Sequence, residues 1–367
     1  MTSALTAIYY VRGDARSIED RARAIAVEQS VEMPVTAIDD RFVLSEILGQ
    51  VDSIRDHGGG VFEVRIRLAA ATVGCEAGQL MNMLFGNTSI HEDVVLHDVE
   101  FPRDLAAAFG GPRYGLDGLR ERAGAGGRAM TCSALKPQGV SPRILADIAC
   151  RLARGGLDFI KDDHGLADQR YSPFADRVRA CAAAVREVCN ATGRATRYVP
   201  SLSGHLDRLR RQIDTAREAG IDTVLVAPMI AGLPAFHALV REYPAMAFMA
   251  HPAMAGAARI APPLLLGKLF RLLGADATIF PHHGGRFGYS TETCRDVAEA
   301  ARAPWEGLRA SVPVPAGGMT PERVPELLDF YGPEVMLLIG GGLLAARERL
   351  TEATAAFTSA VQQYVYR

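Results

Sequence analysis

Little in this sequence points toward a membrane, a nucleic acid or an oxidising compartment. The longest apolar run, Val335–Ala346, has 12 residues and three glycines, too short to span a bilayer. No basic stretch precedes the apolar residues near the N-terminus, and Arg12 and Asp14 follow at once, so a secretory signal is not expected. The 40 lysines and arginines are scattered and the net charge is −2. Without a basic run or interleaved aromatics, nucleic acid is not an expected partner. Six cysteines (Cys75, Cys132, Cys150, Cys181, Cys189, Cys294) make no CxxC pair, and are expected to be reduced core residues. The N-x-[ST] matches at Asn87 and Asn190 then carry no meaning as glycan sites. These absences together predict a cytoplasmic chain with no membrane partner.

What is present is core-forming material: 49% of 367 residues are hydrophobic. The first ~100 residues are expected to form a small α+β unit. Ala4–Val11 is strand-like, Ser17–Glu28 helical, and 62–68 alternates apolar Phe62, Val64, Ile66 and Leu68 with Glu63, Arg65 and Arg67, the period of a half-buried strand. A helix over 72–85 and a strand over 94–101 complete a pattern that fits the β-α-β-β-α-β ferredoxin-like fold. We place this domain at 1–110, a Gly- and Arg-rich linker at 111–128, and a second domain at 129–367.

From Ala129 the texture becomes a repeated strand–loop–helix unit. Eight short apolar segments begin near Met130, Phe159, Arg197, Thr223, Ala247, Ala277, Val312 and Val335, with amphipathic stretches such as 142–154, 175–190, 206–219 and 321–330 between them. That repetition predicts a (β/α)8 TIM barrel, of which ~250 residues is the usual size. A doubly wound sheet is the competing architecture, but no GxGxxG follows the first strand of this region.

In such barrels chemistry sits at the C-terminal ends of the strands. Those ends carry Lys136, then Lys161-Asp162-Asp163-His164, then His251, His282-His283, Gly317-Gly318 and Gly340-Gly341-Gly342. Paired glycine loops after the seventh and eighth strands suit a phosphate, whose oxygens backbone N–H groups can approach closely; tight turns alone are the bland alternative. Strand alternation sends Lys161 and Asp163 to one side and Asp162 to the other. That cluster is either a buried ion pair or a metal site, since a neutral lysine amine can also add CO2 to become an anionic carbamate. Lys136, ahead of Pro137, is a candidate proton acceptor, and His251 a general acid or a substrate contact. His282-His283-Gly284-Gly285-Arg286 looks like an anion-binding loop.

The run Gly155-Gly156-Leu157-Asp158-Phe159-Ile160-Lys161-Asp162-Asp163 resembles the carbamylated-lysine motif of the RuBisCO superfamily. Lys136-Pro137 resembles its base motif, Ala24–Ser30 its helix-to-loop segment, Phe85-Gly86-Asn87 its Gly-Asn motif, and the two glycine loops its phosphate loops, so the resemblance spans nearly the whole chain. It implies Mg2+ held by Lys161 as its CO2 carbamate and by Asp163, Lys136 as base, and phosphate contacts at Gly317, Gly318, Gly341 and Gly342, to which the loop reading above adds His282 and Arg286. It also implies a homodimer or larger homo-oligomer, with Glu28 and Asn87 reaching the partner's site.

The departures set the subgroup. Gln138 stands where carboxylating members have a second lysine, Pro252 where they have a phosphate-binding arginine, and Arg286 near the place of a catalytic lysine. They imply a RuBisCO-like protein that does not fix CO2. His164 replaces a glutamate metal ligand, so either it binds the metal and opens the site to transition metals or it serves as an acid/base. The shared chemistry is metal-assisted enolisation of a phosphorylated sugar. Isomerisation of 5-methylthioribulose-1-phosphate in methionine salvage is the leading expectation. The alternatives are a 3-oxo-isoapionate-4-phosphate decarboxylase or hydrolase, a 2,3-diketo-5-methylthiopentyl-1-phosphate enolase, and a non-catalytic metabolite binder.

Overall fold

A computed structural model describes residues 3–305 and 307–366, which divide into two compact units. The first comprises residues 3–111 together with Met254–Leu265 and residues 307–308. It holds β1 (Ala4–Arg12), α1 (Ile18–Glu28), β2 (Gln50–Asp56), β3 (Val61–Ala69), α2 (Ala77–Phe85), β4 (Val94–Glu100) and α3 (Arg103–Phe109). The sheet order is β2-β3-β1-β4, with every neighbouring pair antiparallel, the ferredoxin-like arrangement. The strand that the sequence left unassigned is β2. It is an outer strand with no buried residue, so it lacks the apolar alternation that marks β3. The other outer strand, β4, is met by the segment that follows His251 in the chain: Leu96 N–H donates to Arg259 O (3.0 Å) and Ala261 N–H to Leu96 O (2.9 Å).

The second unit comprises Pro112–Ala253, Leu266–Trp305 and residues 309–366. After α4 (Gly115–Ala123) the chain alternates β5 (Met130–Leu135), α5 (Pro142–Arg154), β6 (Phe159–Asp162), α6 (Phe174–Thr192), β7 (Arg197–Val199), α7 (Leu206–Glu218) and β8 (Thr223–Val226). It continues through α8 (Pro228–Ala231), α9 (Leu233–Glu242), β9 (Ala247–Ala250), α10 (Phe270–Leu272), β10 (Ala277–Pro281), α11 (Thr291–Arg302) and β11 (Val312–Ala316). The last elements are α12 (Val324–Tyr331), β12 (Met336–Leu338), α13 (Gly341–Leu344) and α14 (Leu350–Gln362). Two parallel four-stranded sheets, β12-β5-β6-β7 and β8-β9-β10-β11, meet at a Ser201–Leu225 bridge, and β11 runs beside β12. Eight strands thus close a barrel, buried on both faces as parallel strands are.

Alternate residues fill the interior: Met130, Cys132, Phe159, Val199, Leu225, Met249, Ile279, Val314 and Leu338 share one cluster. The span expected to be a linker, 111–128, instead contains α4, whose Leu116 and Leu119 join that cluster. Each such side chain contributes about 1.5–3 kcal/mol on burial. Buried Asp276 anchors the helix, accepting from Tyr114 N–H (2.7 Å) and Gly115 N–H (2.8 Å). Glycine and arginine content hid the helix because its apolar face is only three residues wide. No helix among the described residues is long and apolar enough to cross a membrane.

Candidate active site

The end of β6 decides the site. Lys161 is 3% exposed, and its ammonium donates to the backbone carbonyl of Asp162 at 2.8 Å. Burial lowers its pKa, with Cys132, Asp163 and Asp162 acting the other way. A larger neutral fraction of this amine is what CO2 addition requires. Asp163 faces Lys136, whose Nζ donates to Oδ1 at 2.5 Å, and His164, whose Nδ1 stands 3.5 Å from the same oxygen. Burial raises the Asp163 carboxyl, but hydrogen bonds from His164 and Lys136 and the charge of Lys161 outweigh it and hold the group below the usual carboxylate range. Asp162 turns to the opposite side, into the helix layer, where Arg177 and Tyr198 take its carboxylate. The alternation expected from the strand is therefore seen.

His251 ends β9. Its Nδ1 accepts the Ala253 N–H at 3.1 Å, and its ring stacks on His164 with centroids 4.1 Å apart and planes 14° apart. Burial, aided by nearby Lys161 and His164 and opposed by Asp163, pushes its pKa down to about 2. The imidazole is therefore neutral with its proton on Nε2. It can donate a hydrogen bond but does not act as a cationic acid, which narrows the role expected for it.

Of the two glycine loops, the one at Gly340 adjoins Lys136. Gly317 and Gly318 have φ of +95° and +92°, conformations that favour glycine. A Cβ on Gly318 would stand 3.0 Å from the Arg286 backbone nitrogen, because Arg286 N–H donates to Gly317 O. A Cβ on Gly340 would stand 4.0 Å from Lys136 Cε, whereas one on Gly341 meets nothing within 4 Å. Gly341→Val is therefore the clean test of the phosphate expectation, whereas valine at Gly318 would strain the loop itself. We expect at least tenfold weaker binding of a phosphorylated ligand to Gly341→Val at unchanged thermal stability. Equal affinity by calorimetry would remove phosphate from this loop.

The expected anion loop after β10 is differently employed. His282 is fully buried, with Nδ1 2.9 Å from the Tyr331 hydroxyl and Nε2 3.3 Å from Arg323. Burial and the neighbouring His283 and Arg323 push its pKa down to about 4. Both ring nitrogens are engaged, so His282 anchors the loop and is not free for a substrate. Arg286 lies exposed, its guanidinium over Phe287. His282, His283 and Glu326 bring ligand atoms within 4.8 Å of one another, the spacing of a metal site. Arg323 already donates to both Glu326 oxygens at 2.6 and 2.9 Å, so a guanidinium supplies the positive charge there.

In the other unit, Asn87 Nδ2 donates to Glu28 at 2.8 Å and to Glu32 at 2.9 Å. Buried Gln29 makes this meeting possible by donating to the Asn82 and Met83 carbonyls and accepting from Thr88 N–H. Glu32, with φ of +53°, had no motif to mark it. Gln138 lies over Gly165, where any side chain would collide with it. Arg177 was also missed, although a signal existed: it falls on the buried stripe of α6 with Phe174, Val178 and Cys181, where an arginine is anomalous.

A closed parallel barrel with a buried lysine, a carboxylate and a second lysine at adjacent strand ends, beside a glycine loop, defines a class of α/β-barrel enzymes. Residues 115–364 match the ribulose bisphosphate carboxylase large chain, catalytic domain. The chain is 63% identical to a 5-methylthioribulose-1-phosphate isomerase of Rhodospirillum rubrum, over 98% of this chain and 97% of that one. It is 34% identical to a 2,3-diketo-5-methylthiopentyl-1-phosphate enolase of Geobacillus kaustophilus, over 82% and 76%. The crystal structure of a Rubisco-like protein from Rhodopseudomonas palustris superposes with a TM-score of 0.93 at 54% identity, covering both chains fully. The chain belongs to the RuBisCO superfamily, as a form IV RuBisCO-like protein.

Proposed function

We propose that this protein is an isomerase of 5-methylthioribulose-1-phosphate in methionine salvage. The observation that carries the reading is the meeting of Lys136, Asp163 and Lys161 at the ends of β5 and β6 beside the Gly340 loop, in a chain 63% identical to an isomerase of that name. A ketose isomerisation removes a proton from a carbon next to a carbonyl and returns it to a neighbouring carbon.

The donor set fits a divalent cation once Lys161 carries CO2, because the carbamate and Asp163 then offer two anionic oxygen donors. CO2 addition forms an N–C bond from the neutral amine and releases one proton. When bound, the metal polarises the substrate carbonyl as a Lewis acid. His164, already turned to Asp163 Oδ1, supplies a third donor and widens the choice from Mg2+ to transition metals. Lys136, whose Nζ meets Asp163, takes the α-proton. His251 offers its Nε2–H to a substrate oxygen. Gly317, Gly318, Gly341 and Gly342 hold the phosphate. We further propose a homodimer or larger assembly in which Glu28 and Asn87, braced by Glu32, serve the partner's site. Sedimentation showing a fully active monomer would end the assembly claim.

The experiment that tests the function offers phosphorylated ketoses, diketones and 3-oxo acids to the protein in deuterated water and follows them by NMR. An isomerised methylthioribulose phosphate with deuterium at the reacting carbon is the expected result. Turnover of the diketo phosphate alone would make it an enolase, CO2 release a decarboxylase, and inert substrates a binder.

A further inference from the structure

Arg177 is one of the largest fully buried side chains of the molecule, and it lies outside the site. Its partners are unusual in being spread over two structures. Nε donates to Asp162 Oδ2 at 3.0 Å, with neither side chain exposed. Nη1 donates to the carbonyls of Ala167 (2.8 Å) and Ser172 (2.9 Å), and Nη2 to that of Leu166 (3.4 Å). Asp162 is held further by the Tyr198 hydroxyl at 2.8 Å and Ser201 N–H at 3.1 Å. One guanidinium therefore ties the end of β6 to the loop that follows it.

The residues on either side of Asp162 are Lys161 and Asp163, and the loop begins with His164. Because alternate strand residues face opposite ways, fixing the Asp162 carboxylate in the helix layer fixes its two neighbours on the barrel side. The Asp162 carbonyl also holds the Lys161 amine. A buried ion pair is weak evidence for stability, since desolvating both charges offsets their attraction. An apolar pair would serve the helix packing as well, whereas it would leave the strand end and the loop untied.

We infer that Arg177 is a positioning residue that, through Asp162 and the 166–172 carbonyls, sets the relative placement of Lys161, Asp163 and His164 as a metal-binding group. The inference rests on the metal reading of that cluster given above. Partners behind a metal's ligands typically alter affinity 10–100-fold when removed.

The test is Arg177→Lys, which keeps a cation for Asp162 but lacks the planar fork needed to reach three carbonyls. Mg2+ affinity of the full-length protein is measured by titration calorimetry in bicarbonate buffer, with 13C NMR of the lysine carbamate from labelled CO2. Expected are at least tenfold weaker Mg2+ binding and a diminished carbamate signal. In turnover, kcat should fall while KM, governed by the phosphate loops, stays within about threefold. Arg271→Lys is the control: Arg271 is equally buried and also clasps carbonyls, those of Arg309 and Ala303, but far from this strand end in sequence. It should lower thermal stability without touching Mg2+ affinity. If Arg177→Lys does not fold, Asp162→Asn cuts the same link from the other side and carries the same expectation. Mg2+ affinity within twofold of wild type in a folded variant, or an equal loss in the Arg271 control, overturns the inference. Wild-type protein that takes up neither metal nor CO2 overturns the metal reading itself, and this inference with it.

Discussion

Lys161→Ala is expected to give a folded protein that has lost metal-dependent turnover. The lysine is buried, and its pKa is lowered chiefly by that burial, so at neutral pH its charged form opposes folding. Truncation removes that opposition while leaving a cavity, and the two effects partly cancel. Thermal stability should therefore change little. The chemical loss is large because alanine cannot carry the carbamate, and one anionic donor disappears. Metal polarisation of a carbonyl is worth several kcal/mol, so a fall of roughly 10³-fold or more in kcat is expected. The check combines the melting temperature, Mg2+ titration and deuterium exchange of the substrate. Retained exchange in a folded Lys161→Ala variant would show that the carbamate reading is wrong.

Lys136→Ala should stop α-proton exchange while metal binding persists. Loss of a positioned base costs roughly 10²–10⁴-fold in rate. Lys136 Nζ also neutralises Asp163 at 2.5 Å, so its removal leaves the cluster more negative, and Mg2+ affinity should hold or rise. A second consequence concerns acid stability. The Asp163 carboxyl is held below its ordinary range, which contributes stability above the unfolded carboxyl pKa that is lost as pH falls through the folded one. Without Lys136 that depression shrinks, so acid unfolding should begin at a higher pH. Exchange near the wild-type rate would make another group the base. His164 is then the candidate, since His251 already accepts the Ala253 N–H on one nitrogen.

Much of this was legible in the sequence, for reasons of period and placement. Barrel strands such as β5 and β6 are short runs buried on both faces, and they stand out against the amphipathic helices between them. The polar residues that interrupt them at Lys136, Lys161-Asp162-Asp163 and His251 had no packing reason to be there. Alternation then put Lys161 and Asp163 on one side without any coordinates. An outer strand with no buried residue, β2, lacked that contrast and stayed hidden, as did the short helix α4.

What the sequence determined by itself, then, is whatever depends on neighbours in the chain: the order of elements, the polarity of strand ends and the facing of adjacent residues. What only the tertiary structure decided is whatever depends on a partner far along the chain. Arg177 shows in the sequence only as an arginine out of place on an apolar helix stripe, and the fold alone supplies Asp162 and three carbonyls to it. His282 looks like a ligand until Tyr331 and Arg323 occupy its two nitrogens. The state of His251 is set by burial and by a backbone N–H two residues on. Charge and hydrogen-bond demand are satisfied through space, so whether a polar residue is free for chemistry is settled by folding and not by composition.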